Sequence, residues 1–386
     1  MRFIADERMI YHSPYPQDLY CYTPWLEHAF NGRIIASFDV SGSALKLEKG
    51  PRSGRGDYSG NQLRIYVSDD HGATWRETGR LPMLHARVIP AGKCLYAIGH
   101  AGKLLVSKST DNGETWGEPV CLEDQAPWHQ SACAYERIDG RIYITMEQIP
   151  NNKAGAGDPV LMCADENDDL TDVKNWRFSN IAEFQTIAKA APPLGTRHPG
   201  AWLESNVVLE RNPESRFYGQ LLVFLRTLDP IHPDTAAMLV AGEREDGTLY
   251  LERNTEPYFD SVYLPFPGGY MKFHILWDEK SRLYWMIASR ARKYSMIAED
   301  ARYMELNCFQ ERRQLELFYS GNAFDWCSAG VVACGETEHE SRHYASILID
   351  GDDMLVLSRS GDKNAKNTHD TDMITLHRIK DFRTFA

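Results

Sequence analysis

Ser68-Asp69-Asp70-His71-Gly72-Ala73-Thr74-Trp75 recurs as Ser109-Thr110-Asp111-Asn112-Gly113-Glu114-Thr115-Trp116, and both stretches read S-x-D-x-G-x-T-W. Repetition of this kind marks an architecture assembled from similar units. Each stretch predicts a hairpin turn. Asp70 and Asp111 bond the turn's own backbone, Gly72 and Gly113 supply a positive φ, and Trp75 and Trp116 pack back between sheets. Weaker closures follow at Asn175-Trp176-Arg177, Gly247-Thr248-Leu249-Tyr250, Asp325-Trp326-Cys327 and Asp381-Phe382-Arg383. Each segment so divided also holds an apolar strand after a turn: IIASF after Arg33, LYAIG after Cys94, IYITM after Arg141, LLVFL after Gln220, LYWMIAS after Arg282 and MLVLS after Asp353. Short β-branched and aromatic strands between Gly, Asp and Asn turns predict an all-β fold, a β-propeller of about six four-stranded blades. A seventh blade has room between Trp176 and Met271, and residues 1–386 read as one repeat domain.

The bulk properties fit that reading. With 43% hydrophobic and 25% charged residues the 386-residue chain can bury a sizeable core. A formal net charge of -12 argues against nucleic-acid or anionic-membrane partners, because both reward a basic face. It leaves room for a small anion held by a local group of arginines. The cysteines, Cys21, Cys94, Cys121, Cys133, Cys163, Cys308, Cys327 and Cys334, form no CxxC pair and read as reduced core residues. The first residues, MRFIADERMIYHSP, contain no apolar run of signal-peptide length, and no stretch is long enough to span a bilayer, so the chain as it stands is expected to be cytoplasmic.

Equivalent positions on repeated strands face the same channel. Six residues past the strand starts lie Asp39, His100, Glu147, Arg226 and Arg359, with Ser289 and Arg290 on the fifth segment. The preceding, innermost strands begin with Trp25, His85, His129, Glu204, Lys272 and His343-Tyr344. Strand ends at the mouth of a closed β architecture are where binding groups converge. Arg226, Arg290 and Arg359 aimed inward would repel one another unless an anion sat between them, and the guanidinium fork suits a planar carboxylate. The expected partner is therefore an acidic oligosaccharide carrying a sialic-type or uronic-type residue.

With the repeated turns and the arginines in hand, the chain resembles the sialidase superfamily of Asp-box propellers over nearly its whole length. Several segments also resemble the propellers that include ulvan lyases and rhamnosyl-glucuronate hydrolases and lyases. These are Trp202-Leu203-Glu204-Ser205-Asn206-Val207-Val208, Phe266-Pro267-Gly268-Gly269 with Lys272-Phe273 and Tyr284-Trp285, and Asp350-Gly351-Asp352-Asp353 with Ser358-Arg359 and His369-Asp370. The latter resemblance implies seven blades. Sialidases carry an arginine on the first strand, an aspartate acid/base and a tyrosine nucleophile paired with a glutamate. Here the first strand reads Tyr22-Thr23-Pro24-Trp25, without the arginine. Tyr344-Ala345-Ser346 is similar to the nucleophile strand, and Asp39 or Asp57 stands for the acid/base.

Two chemistries fit these residues. An exo-acting glycoside hydrolase would draw a proton donor and a nucleophile or base from Glu147, Asp39 and Tyr344. A uronate lyase would neutralise the carboxylate with arginine and move protons through His85, His100 and Tyr344. A propeller that binds a sugar acid without chemistry is the third reading. A metal held by His85, His100 and His129 is conceivable, but no HxH or HExxH spacing joins these three, so no metal and no cofactor are expected. His12, His28, His71, His232, His339 and His377 read as turn or surface residues, and Lys363-Asn364-Ala365-Lys366-Asn367 as a solvated loop near the mouth.

Overall fold

The computed structural model describes residues 4–55, 58–149, 157–191, 200–229, 232–255, 262–291, 309, 311–337 and 340–386. Asp57, Cys308 and His339 lie outside them. The described chain is almost wholly β, with one short α-helix at Phe184–Ala190 among the described residues. The strands pair antiparallel, mostly with strands close to them in sequence. No helix among the described residues is long and apolar enough to cross a membrane.

The strands form four small sheets, of four, five, six and four strands, and one sheet of eight. This corrects the expectation of six or seven four-stranded blades. The ladder does not break between Val120–His129 and Arg141–Gln148, where Trp128 pairs with Gln148 and His129 with Glu147. The eight-stranded sheet folds over a cluster of its own, in which Ile98 and Val106 are buried with Ile144 and Met162.

The sheets follow one another in a propeller-like ring, each packing its apolar faces on the next. Ile35 and Ile65 meet Val88 and Leu95; Tyr143 and Leu161 meet Trp202 and Val223. Phe224 and Met238 meet Tyr284 and Met286; Trp285 and Ile287 meet Ile347 and Val356. Leu355 and Leu357 then return to Ile34 and Phe38. Within the last sheet the N-terminal strand Asp6–His12 pairs with the C-terminal strand Met373–Ile379, so the two ends of the chain close the ring together.

The two S-x-D-x-G-x-T-W stretches fold identically. Asp70 Oδ1 accepts from the Thr74 N–H at 2.8 Å and Oδ2 from the Thr74 hydroxyl at 2.6 Å. Asp111 does the same with Thr115 at 2.9 and 2.5 Å. Gly72 and Gly113 take φ values of 82° and 83°, a region glycine enters without steric cost. Trp75 packs on the cluster of Leu355 and Leu376, and Trp116 on that of Leu81 and Leu95, so each turn anchors its own sheet to a neighbour.

Two smaller expectations change. Cys21, Cys133 and Cys163 are buried, but Cys121 and Cys327 are exposed, and all seven described cysteines are free. His377 is a core residue rather than a surface one, its Nε2 bonded to the Thr375 hydroxyl at 3.0 Å.

The Thr74 hydroxyl and N–H hold the Asp70 carboxyl down at about 2, from an ordinary 3.8. A carboxylate so lowered contributes stability that is complete above 3.8 and is lost as pH falls through about 2. Asp70→Ala should therefore melt below the wild type at neutral pH, with the gap closing as pH is brought down to about 2. Equal melting temperatures at neutral pH would contradict this role for the turn.

Candidate active site

Three inner strands carry the same irregularity at the same place. Leu84 pairs with His100 and Arg87 with Ile98; Leu203 pairs with Arg226 and Asn206 with Phe224; His343 pairs with Arg359 and Ser346 with Leu357. In each case one extra residue on the inner strand is accommodated by a β-bulge, which bends the strand and re-aims a side chain. The residue after the last regular pair is His85, Glu204 and Tyr344 respectively, with φ of 54°, 59° and 54°. Left-handed backbone costs a non-glycine residue on the order of 1–3 kcal/mol and persists where surrounding structure enforces it. The bulges thus set His85 beside His100, Glu204 beside Arg226, and Tyr344 beside Arg359.

Two of these units build a cationic half. Arg226 donates to Glu204 Oε2 at 3.0 Å, to the Tyr344 hydroxyl at 2.5 Å and to the Tyr270 carbonyl at 2.7 Å. Glu204 Oε1 accepts from the Ser131 hydroxyl at 2.8 Å. Around the Tyr344 ring stand the guanidinium carbons of Arg226, Arg312 and Arg359, at 5.8, 5.7 and 5.2 Å from its centroid. All three arginines are buried. Arg226 is neutralised by Glu204, whereas among the described residues Arg312 and Arg359 make no ion pair. Arg312 donates to the Phe309 carbonyl and to His343 Nδ1, and Arg359 to the His369 carbonyl while stacking on Tyr22.

The proton affinities record this crowding. Burial, helped by the charges of Arg359 and Arg226, brings Arg312 down to about 10. Burial alone would raise the Glu204 carboxyl, but Arg226 and hydrogen bonds from Tyr344 and Ser131 outweigh it and leave it below its ordinary 4.5. Burial takes the Tyr344 phenol up to about 12 despite Arg226 and Arg312, so it is held neutral and hydrogen-bonded.

The third bulge builds a histidine half. His85, His100 and His129 stand with ring centroids 5.3, 5.4 and 5.0 Å apart, and His100 Nε2 is 3.4 Å from His85 Nδ1. Fully buried carboxylates back the cluster. Asp39 Oδ1 accepts the His85 N–H at 3.1 Å, and its Oδ2 lies 3.8 Å from His85 Nε2. Glu147 Oε2 lies 3.5 Å from His129 Nδ1, while Oε1 accepts the Ser205 N–H at 3.1 Å. Glycine is required at 157, since a Cβ there would lie 2.5 Å from Glu147 Oε2.

Of the residues expected from register, Asp39, His85, His100, His129, Glu147, Glu204, Arg226, Tyr344 and Arg359 fall into these two halves. Three do not serve as expected. Arg290 points away from the Tyr344 ring and pairs with Asp234 at 2.8 Å and Glu316 at 3.5 Å, because its strand ends at Ser289. Lys272 Nζ is buried on the Tyr344 and Ala345 carbonyls at 3.3 and 3.0 Å, so it supports the bulge. Trp25 is core, its indole N–H donating to the Val88 carbonyl, and Tyr22 takes the place at the mouth. The missed residue is Arg312. It precedes the third strand of its sheet, Gln314–Ser320, where a count along second strands does not reach.

No family model and no curated protein matches this chain. Solved structures do match in fold. A Trypanosoma rangeli sialidase aligns with a TM-score of 0.57 at 14% identity, over 100% of this chain and 61% of that one. A Penicillium chrysogenum α-L-arabinanase complexed with arabinobiose gives 0.54 at 14% identity, over 98% of both chains. A Dyadobacter fermentans protein of unknown function gives 0.56 at 13% identity, over 97% and 99%. The fold is thus a propeller-type arrangement of the kind these structures share.

Removing Glu204 would leave Arg226 uncompensated, as Arg312 and Arg359 beside it already are among the described residues. Glu204→Ala should lose about 3 kcal/mol of stability in urea denaturation, since breaking a buried pair strands its partner. Because the carboxyl is held below 4.5, the wild type should lose the same contribution only as pH falls beneath that value. An Ala variant as stable as the wild type would show that the pair does not compensate Arg226.

Proposed function

We propose that this protein is an exo-acting glycoside hydrolase that releases a terminal sugar acid, sialic-type or uronic-type, from a small oligosaccharide. The observation that carries the reading is the Tyr344 hydroxyl, bonded by Arg226 at 2.5 Å beside Glu204 and ringed by two further arginines that make no ion pair among the described residues. Two unpaired buried guanidiniums are costly unless an anion completes them. A carboxylate meets the fork of each through charge-assisted bonds. Guanidiniums this buried receive one end of a saccharide rather than the middle of a polymer.

Tyr344 and Glu204 divide the chemistry between them. With the substrate carboxylate held by Arg312 and Arg359, the anomeric carbon faces the phenol, and Glu204 accepts the phenolic proton as the oxygen attacks. The glycosidic bond breaks with its electron pair on the leaving oxygen, which takes a proton from a water, and that water's hydroxide then displaces Tyr344, whose oxygen recovers its proton from Glu204. A neutral tyrosine avoids bringing a formal anion up to an acidic sugar, and Arg226 stabilises phenolate character as it develops. Lys272 acts as a positioning residue through the Tyr344 and Ala345 carbonyls. Asp39 is wholly buried behind His85, so it acts through that ring rather than on the substrate. Asp57, the other acid/base candidate from the sialidase resemblance, lies outside the described residues. The repeated turns with their aspartate-to-threonine bonds support the Asp-box kinship as well.

The lyase reading retains one specific support, the contact of His85 with His100 across a bulge, which sets two proton-carrying groups at the same mouth. Incubation with acidic oligosaccharides separates the two. A hydrolase releases new reducing ends without the ultraviolet absorbance of an unsaturated uronate; a lyase produces that absorbance. On a sugar-acid aryl glycoside, Tyr344→Phe should lower kcat by about 1,000-fold or more. Arg312→Ala should raise KM by about 10- to 100-fold, the loss of one charged hydrogen bond. Unchanged kcat in the first variant, or unchanged KM in the second, would sink the assignment.

A further inference from the structure

We infer that His85, His100 and His129 form a site for a divalent transition metal of the zinc class, with Asp39 and Glu147 as its outer supports. Three imidazoles from three strands each offer a ring nitrogen, and these atoms all lie within 4.8 Å of one another. A tetrahedral zinc with bonds of about 2.0–2.1 Å places neighbouring ligand nitrogens about 3.4 Å apart. The His85 Nδ1 to His100 Nε2 separation is 3.4 Å.

The buried carboxylates point independently to the same conclusion. A histidine that holds a metal through one nitrogen turns the other toward a carboxylate, which fixes its tautomer and strengthens it as a ligand. His85 turns Nδ1 to the cluster and Nε2 to Asp39; His129 turns Nδ1 to Glu147, leaving Nε2 for the cluster. Asp39 Oδ2 and Glu147 Oε2 are buried with no hydrogen bond of normal length among the described residues. Two unsatisfied buried carboxylate oxygens, each aimed at the back of a clustered histidine, are poorly accounted for by packing alone. They fit a cation that makes both rings obligate donors.

The chemistry of the set selects the ion. Three neutral imidazoles suit zinc, copper, nickel or iron(II) and disfavour magnesium and calcium, which take oxygen ligands. His85 and His129 keep 16% and 27% of their side-chain surface open, so a water or substrate oxygen can reach a fourth position. Arg359 acts electrostatically on both His85 and Asp39, so the charge of the arginine half is felt at the histidine cluster. An ion there would hold a hydroxyl or glycosidic oxygen of the sugar whose carboxylate the arginines bind.

The test uses the full chain without any sugar, so its outcome is separate from that of the glycosidase reading. Protein dialysed against a chelator is titrated with Zn2+ by calorimetry and with Co2+ by visible absorption. The expected result is one equivalent bound per chain, with the intense visible bands of four-coordinate Co2+. Binding should be lost in His129→Ala, retained in Arg312→Ala, and weakened by about 10-fold or more in Glu147→Gln. Should His129→Ala fail to fold, the wild-type titration and Glu147→Gln decide. No saturable binding by the wild type, or the same affinity in Glu147→Gln or in a folded His129→Ala, would overturn the site.

Discussion

His85, Glu204 and Tyr344 occupy a region of backbone space that a side chain resists, and they do so at the same point of three separate inner strands. A strand of regular pleat sends alternate residues to opposite faces and would place a core residue where each of these stands. The extra residue of each bulge breaks that alternation once and sends a polar side chain to the channel beside the second-strand residue opposite it. The polar pairs are thus made three times by one device. The ring of packed sheets bears the strain, because Trp202, Trp285 and Leu357 fix the strands on both sides of it.

Charge compensation is the second constraint. Glu204 balances Arg226, and Tyr344 separates Arg226 from Arg312 and Arg359. The site as it stands is short of negative charge, even though the chain as a whole carries -12. An acidic exterior around a cationic centre does not favour long polyanions; it tolerates a small one that can enter fully. At the histidine half the balance is reversed, with Asp39 and Glu147 buried behind three histidines. We propose opposite partners for the two halves, a carboxylate for the arginines and a cation for the histidines.

Much of this was legible in the sequence because repetition aligns equivalent positions. Asp39, His100, Glu147, Arg226 and Arg359 all lie near the ends of second strands, as register implies. The bulges themselves left no sequence signal, since glycine, their usual mark, is replaced by His85, Glu204 and Tyr344. Arg290 was misplaced because Ser289 ends its strand and the next side chain turns outward to Asp234. Arg312 was missed because it lies just before the third strand of its sheet, off the second strands that the register counts. The sheet count failed where hydrogen bonding runs on from Trp128 to Gln148, a continuity that apolar patterning does not encode. His85, His100 and His129 were set aside as metal ligands because they come from three strands and share no local spacing.

The central claim is that Arg226, Arg312 and Arg359 surround the place of a carboxylate next to the Tyr344 hydroxyl. A crystal structure of the protein with a bound sugar acid tests it most directly. The account predicts the carboxylate oxygens within hydrogen-bonding distance of the Arg312 and Arg359 guanidiniums, with the anomeric carbon turned toward Tyr344. A sugar acid bound with its carboxylate away from all three arginines, or with Tyr344 on the far side from the anomeric carbon, would contradict it.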